Sequence, residues 1–141
     1  MAGESDYIRH LGEVALFSAC SRKELMLIAK RSTPTTVPAG KTLTTEGSAG
    51  REFFVVASGS AVVRRGGRKV ATITAGQWFG ELSLLDNAPR NATVVAETEM
   101  EVLVLTRPEF TGLLDGVPGL SRKLLTAMAR RLREADARSV Q

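Results

Sequence analysis

The stretch Gly80-Glu81-Leu82-Ser83-Leu84-Leu85-Asp86-Asn87-Ala88-Pro89-Arg90-Asn91-Ala92-Thr93 gathers the residues best suited to chemistry. Gly80 lets the backbone approach a ligand closely or take a φ that other residues avoid. Glu81 to Asp86 favours a short helical turn, whose first N–H groups lack intrahelical partners and suit an anion. Arg90, four residues after Asp86 and held behind Pro89, carries a planar fork of donors that matches two phosphate oxygens at once. Glu81 is the odd member. Two negative charges ~4 Å apart repel by several kcal/mol at an intermediate dielectric, which excludes Glu81 as a phosphate ligand. A carboxylate does accept a sugar 2′-hydroxyl well. An arginine for phosphate beside an acid for ribose describes a nucleotide whose phosphate lies next to its sugar.

The elements around this stretch fall into three zones. Residues 5 to about 31 read as helical, with Ser21 as N-cap and Glu24 completing a capping box. Pro34 and Pro38 stop any helix there. From Thr33 to Thr106 short β runs alternate with glycine turns: Thr33–Val37, Lys41–Thr45, Glu52–Ser58, Ser60–Arg65, Arg68–Ile73, Ala92–Ala96 and Met100–Thr106. Gly66-Gly67 predicts a two-residue hairpin turn. Helix returns over Pro108–Leu114 and again over about Pro118–Arg138, where Leu120, Leu124, Met128, Leu132 and Ala135 form one apolar stripe. That stripe is packing, onto the strands or against a partner helix. Trp78 and Phe79 are core side chains by type, and His10 and Cys20 show no partner pattern. The fold class expected is α+β: a β-roll, jelly-roll-like and antiparallel, between N-terminal helices and a C-terminal helix. One domain, 1–141, divides into helices 1–32, roll 33–106 and helices 107–138.

The run Phe79-Gly80-Glu81-Leu82-Ser83-Leu84 … Pro89-Arg90-Asn91-Ala92-Thr93-Val94 resembles the phosphate-binding cassette, here 79–94, of the cyclic-nucleotide-binding domain family. That family includes the bacterial catabolite activator protein and the regulatory subunits of cyclic-AMP-dependent protein kinase. A second pattern lies upstream in Gly47, Gly50, Phe53-Phe54-Val55-Val56 and Gly59, with Thr44 and Ser48 departing from the family's preference. The resemblance runs from about Leu16 to Leu132. It implies that Arg90 pairs with the cyclic phosphate and that Glu81 accepts the ribose 2′-hydroxyl. The amides of Gly80, Leu82, Ser83 and Ala92 are similar to those lining the pocket, with Phe79 opening it. Asn91 stands where other members carry Ala, Ser or Thr. The last helix resembles a lid over the base, with Arg131 at its ligand-facing arginine. Ala135 and Asp136 occupy the places of a Thr-Ser pair that reads adenine, and no aromatic follows Phe110 to cap the base. Cyclic AMP is the ligand expected, with cyclic GMP second.

Bulk properties narrow the alternatives. The six basic residues from 118 to 141 against Glu134 and Asp136 give 6 − 2 = +4, the whole net charge, so residues 1–117 sum to zero. A generally basic DNA-binding face is therefore not expected. A lone histidine, His10, argues against a metal-dependent oxygenase on a related roll, which normally uses two or more, so no metal is expected. No apolar run approaches the ~20 residues of a membrane span. MAGESDYIRH lacks a secretory apolar core and Cys20 has no disulfide partner in the chain, so a cytoplasmic protein is expected. The function expected is a sensor, not an enzyme, whose ligand repositions the C-terminal helix toward an effector protein not identified by the sequence, with a homodimer through that helix compatible with its stripe. Two other readings stand beside it. One is a transcription regulator cut before its DNA-binding domain, since the chain ends at Gln141 about where that domain would begin. The other is a degenerate interaction module that binds no nucleotide.

Overall fold

Phe53-Phe54-Val55-Val56 has no polar alternation, and a strand of that kind needs cover on both faces. A computed structural model of the chain, describing residues 9, 11–18 and 20–140 with the side chains of 15 and 138–140 excepted, provides that cover. After a 3₁₀ turn at Ala15–Phe17 come α1 (Arg22–Arg31), β1 (Thr33–Val37), β2 (Thr42–Thr44), β3 (Glu52–Ser58), β4 (Ser60–Arg65), β5 (Arg68–Thr74) and β6 (Trp78–Phe79). Then follow α2 (Glu81–Asp86), β7 (Thr93–Ala96), β8 (Met100–Thr106), α3 (Arg107–Gly116) and α4 (Leu120–Val140). The strands form two antiparallel four-stranded sheets, of order β1-β8-β3-β6 and β2-β7-β4-β5.

The first sheet is buried on both sides. Phe53, Val55, Leu103 and Leu105 pack under the helices with Ile28, Phe110 and Leu124. Phe54, Val56, Met100 and Val102 point the other way, into the roll, where Ala61, Val63, Val94 and Ala96 of the second sheet meet them. The result is an α+β β-roll with its helices gathered on one sheet.

Local signals held where they depended on local chemistry. The Ser21 hydroxyl accepts from Glu24 N at 3.1 Å and Glu24 Oε1 accepts from Ser21 N at 2.8 Å, which starts α1. Gly66 and Gly67 take φ of 58° and 80°, as a primed hairpin turn requires. Lys41, Thr45 and Ala92 fall outside their strands, and β6 is two residues, too short for periodicity to announce. The expected stripe on α4 splits. Leu120 and Leu124 are buried, whereas Leu132 is 71% exposed although its neighbour Arg131 reaches Glu81. His10 and the helix expected over residues 5–8 lie outside the described residues.

Candidate functional site

Gly80 N-caps α2 with φ 98°, in the left-handed region, and Asn87 closes it with φ 60°. A Cβ at Gly80 would stand 2.7 Å from the Glu52 carbonyl oxygen and 2.9 Å from Arg90 Nη1, so only glycine fits. Within α2, Glu81, Ser83 and Leu84 turn inward while Leu82 and Leu85 stay exposed.

Arg90 is 8% exposed. Its Nη1 donates to Gly80 O at 2.9 Å and its Nη2 to Glu52 O at 2.6 Å. Its backbone is clamped as well: Arg90 N donates to Ser48 O, and Gly47 N to Arg90 O, both at 2.8 Å. Both acceptors are neutral carbonyls, and no carboxylate lies within ion-pair distance of it among the described residues. Burial holds the guanidinium pKa below its ordinary value, with the charges of Glu52 and Glu81 opposing that shift from a distance. Of the guanidinium's five N–H donors, one on each Nη is bonded to these carbonyls.

Glu81 is 2% exposed, and its Oε1 accepts from Arg131 Nη1 of α4 at 2.6 Å. The same guanidinium lies over the Trp78 ring, 5.1 Å from Cζ to the centroid. The cassette and the last helix are thus joined by one arginine.

The other expected residues divide. Ser83 is buried against Gly50: a Cβ on Gly50 would meet Ser83 Cβ at 2.3 Å and Arg90 Nε at 2.8 Å. Phe79 contributes its side chain to the core, stacked on Phe54 with centroids 4.8 Å apart, so only its backbone borders the polar site. Ala92 is core too, and its carbonyl accepts from Thr44 Oγ1 at 3.1 Å. Asn91 is exposed, and its carbonyl accepts from Arg65 Nε at 3.1 Å. Sequence reasoning missed Arg107. Its Nη1 donates to Leu84 O at 2.9 Å and its Nη2 to Asn87 Oδ1 at 3.0 Å, tying the end of α2 to the start of α3. Nothing in its local context marks it. A cavity of about 1000 Å³ opens between the segments around Gly50, Pro89 and Arg107; Glu81, Arg90 and Arg131 are not in its wall.

Comparison with known proteins gives the family. The pattern of the cyclic nucleotide-binding domain matches residues 34–116, and this chain belongs to that family. The cyclic AMP receptor protein of Thermus thermophilus is 39% identical over 104 residues, covering 70% of this chain and 48% of that protein. The cAMP-dependent protein kinase regulatory subunit of Yarrowia lipolytica is 39% identical over 115 residues, 80% of this chain and 31% of its own. The chain therefore spans less than half the length of either relative. The crystal structure of Thermus thermophilus catabolite activator protein superimposes with a TM-score of 0.83 at 35% identity, over 88% of this chain and 61% of that one. The domain shared with these regulatory proteins is a binding module, not a catalytic one. Among the described residues no helix is long and apolar enough to cross a membrane, and no cluster of side chains is arranged to hold a metal.

Proposed function

We propose that this chain is a cyclic-nucleotide sensor, with cyclic AMP the preferred ligand and cyclic GMP the second, bound along residues 79–94. The observation that carries the reading is Arg90, buried and fixed by two carbonyls with no carboxylate in contact among the described residues. A buried charge is expensive unless paired, and a cyclic phosphate supplies the missing anion. The amides of Gly80, Leu82, Ser83 and Ala92 border the phosphate, with the Asn91 side chain at its edge. Glu81 takes the ribose 2′-hydroxyl on Oε2, since Oε1 already holds Arg131. The names of the relatives, a cyclic AMP receptor protein and cAMP-dependent kinase regulatory subunits, support adenine.

Ligand at Glu81 touches α4 through Arg131, so binding biases the position of that helix and passes the signal to an effector protein. The bias is no larger than the ligand's preference between the two helix positions. A homodimer through α4 fits the same helix: Leu125 and Leu132, seven residues apart and hence on one face, are 65% and 71% exposed.

Calorimetry with cyclic AMP, cyclic GMP and 5′-AMP tests the assignment. Truncating a buried, hydrogen-bonded charge partner costs ~2–5 kcal/mol, so Arg90→Ala weakens cyclic AMP binding by roughly 30- to 4,000-fold. Unchanged affinity in that variant removes Arg90 from the site. No heat and no thermal shift with any of the three nucleotides removes the function.

A further inference from the structure

The chain carries a second concentration of positive charge away from α4, at the tip of the β4–β5 hairpin. Arg64 stands opposite Lys69 and Arg65 opposite Arg68, and all four are exposed. Like charges directly across a ladder destabilise it, so two successive cation–cation rungs are not a folding device. The side chains of Arg64, Arg68 and Lys69 make no hydrogen bond or ion pair among the described residues. The tip's carboxylate contact is Glu46 Oε1, accepting from Gly66 N at 3.0 Å. Four cations less that one acid leave a local +3, on a chain segment whose overall sum is zero.

The position of the tip gives the charge a use. Arg65 Nε is bonded to the carbonyl of Asn91, the residue next to Arg90. Register brings Arg64 beside Thr93. Glu46 N is held by Thr93 Oγ1 at 2.9 Å, closing the link between hairpin tip and cassette. The hairpin cations therefore sit on a segment bonded directly to the residues that flank the buried guanidinium.

We propose that this hairpin tip is an electrostatic rim that captures the anionic ligand for Arg90, an inference resting on the cyclic-nucleotide reading above. It acts on the rate of arrival and leaves the bound contacts to the cassette. The Arg64→Gln, Arg68→Gln, Lys69→Gln triple variant removes three of the charges and leaves Arg65 bonded to Asn91. Three unit charges ~10 Å from a singly charged phosphate change its capture roughly five-fold at a Debye length of ~30 Å, and less than about two-fold at ~8 Å.

Stopped-flow emission of Trp78, the chain's one tryptophan, after mixing with cyclic AMP gives the association rate, and calorimetry gives Kd. The triple variant is expected to lose about five-fold in association rate at ~10 mM ionic strength and less than two-fold at ~150 mM, with the dissociation rate unchanged. Equal association rates for variant and wild type at low salt overturn the proposal, as does a loss confined to dissociation. Self-association of the variant at an unchanged rate also overturns it, and assigns the cations to protecting the open edge of β5. If the wild-type protein binds none of the cyclic nucleotides, the functional reading fails first and the rim falls with it.

Discussion

A methyl group on Gly50 perturbs the centre of the site without removing any of its charged groups. The added carbon would stand 2.3 Å from Ser83 Cβ and 2.8 Å from Arg90 Nε. Carbon pairs rest at about 3.5–4.0 Å, so α2 must retreat from Gly50 by more than ~1 Å. The guanidinium must shift as well, which disturbs its bonds to Gly80 O and Glu52 O, at 2.9 and 2.6 Å. Loss of one hydrogen bond to a charged group costs ~1.5–3 kcal/mol. With tenfold in Kd for each 1.4 kcal/mol, Gly50→Ala is expected to weaken cyclic AMP binding by roughly 10- to 150-fold. Overpacking of this kind lowers stability by ~1–3 kcal/mol, which differential scanning calorimetry reads as a drop of several degrees. Gly47→Ala is the matched control. Gly47 has φ 85° and open space where its Cβ would go, so the variant carries backbone strain and no collision. It is expected to lose stability and to bind within a few-fold of wild type. If Gly50→Ala binds cyclic AMP as tightly as Gly47→Ala does, the packing of Gly50 against Arg90 has no part in binding.

Arg131→Gln breaks the Glu81 ion pair and the contact with Trp78; a shift in tryptophan emission before any ligand is added checks that this contact exists in solution. Leu132→Glu puts a charge on the exposed face of α4. Light scattering is expected to show a dimer becoming a monomer, and a wild-type monomer contradicts the dimer. The Cys20 thiol pKa is raised by burial and by Glu24, with Lys123 opposing, so the native thiol is less ionised than an unfolded one near pH 9 and alkylates more slowly there. The folded state holds the extra proton, so this group's contribution to stability falls as pH rises above the unfolded thiol pKa. Equal alkylation rates for native and unfolded protein at pH 9 contradict it.

Much of the architecture was legible because its causes are local. The capping box at Ser21 and Glu24, the paired glycines at 66 and 67, and the unbroken apolar run at Phe53–Val56 each act within a few residues. The strand boundaries drawn from them match β1, β3, β4 and β8 residue for residue. The cassette was legible for a different reason: its glycine, acid and arginine lie within eleven residues of one another. Four basic residues at the hairpin tip were visible too, but a charge sum along the chain cancels them against acids elsewhere, and only the hairpin pairs them across a ladder.

The sequence alone therefore singled out Gly80, Glu81 and Arg90 as the candidate site residues and led to a β-roll. Tertiary structure decided what surrounds that unit. Arg90 finds one of its two acceptors on Glu52, 38 residues away, and Glu81 finds Arg131, 50 residues away. Gly50 is needed by the close approach of Ser83, and Arg107 reaches the end of α2 across 23 residues. Which side chains meet over such separations is set by strand register and by how the two sheets and the last helix pack. Neither periodicity nor spacing along the chain carries that information.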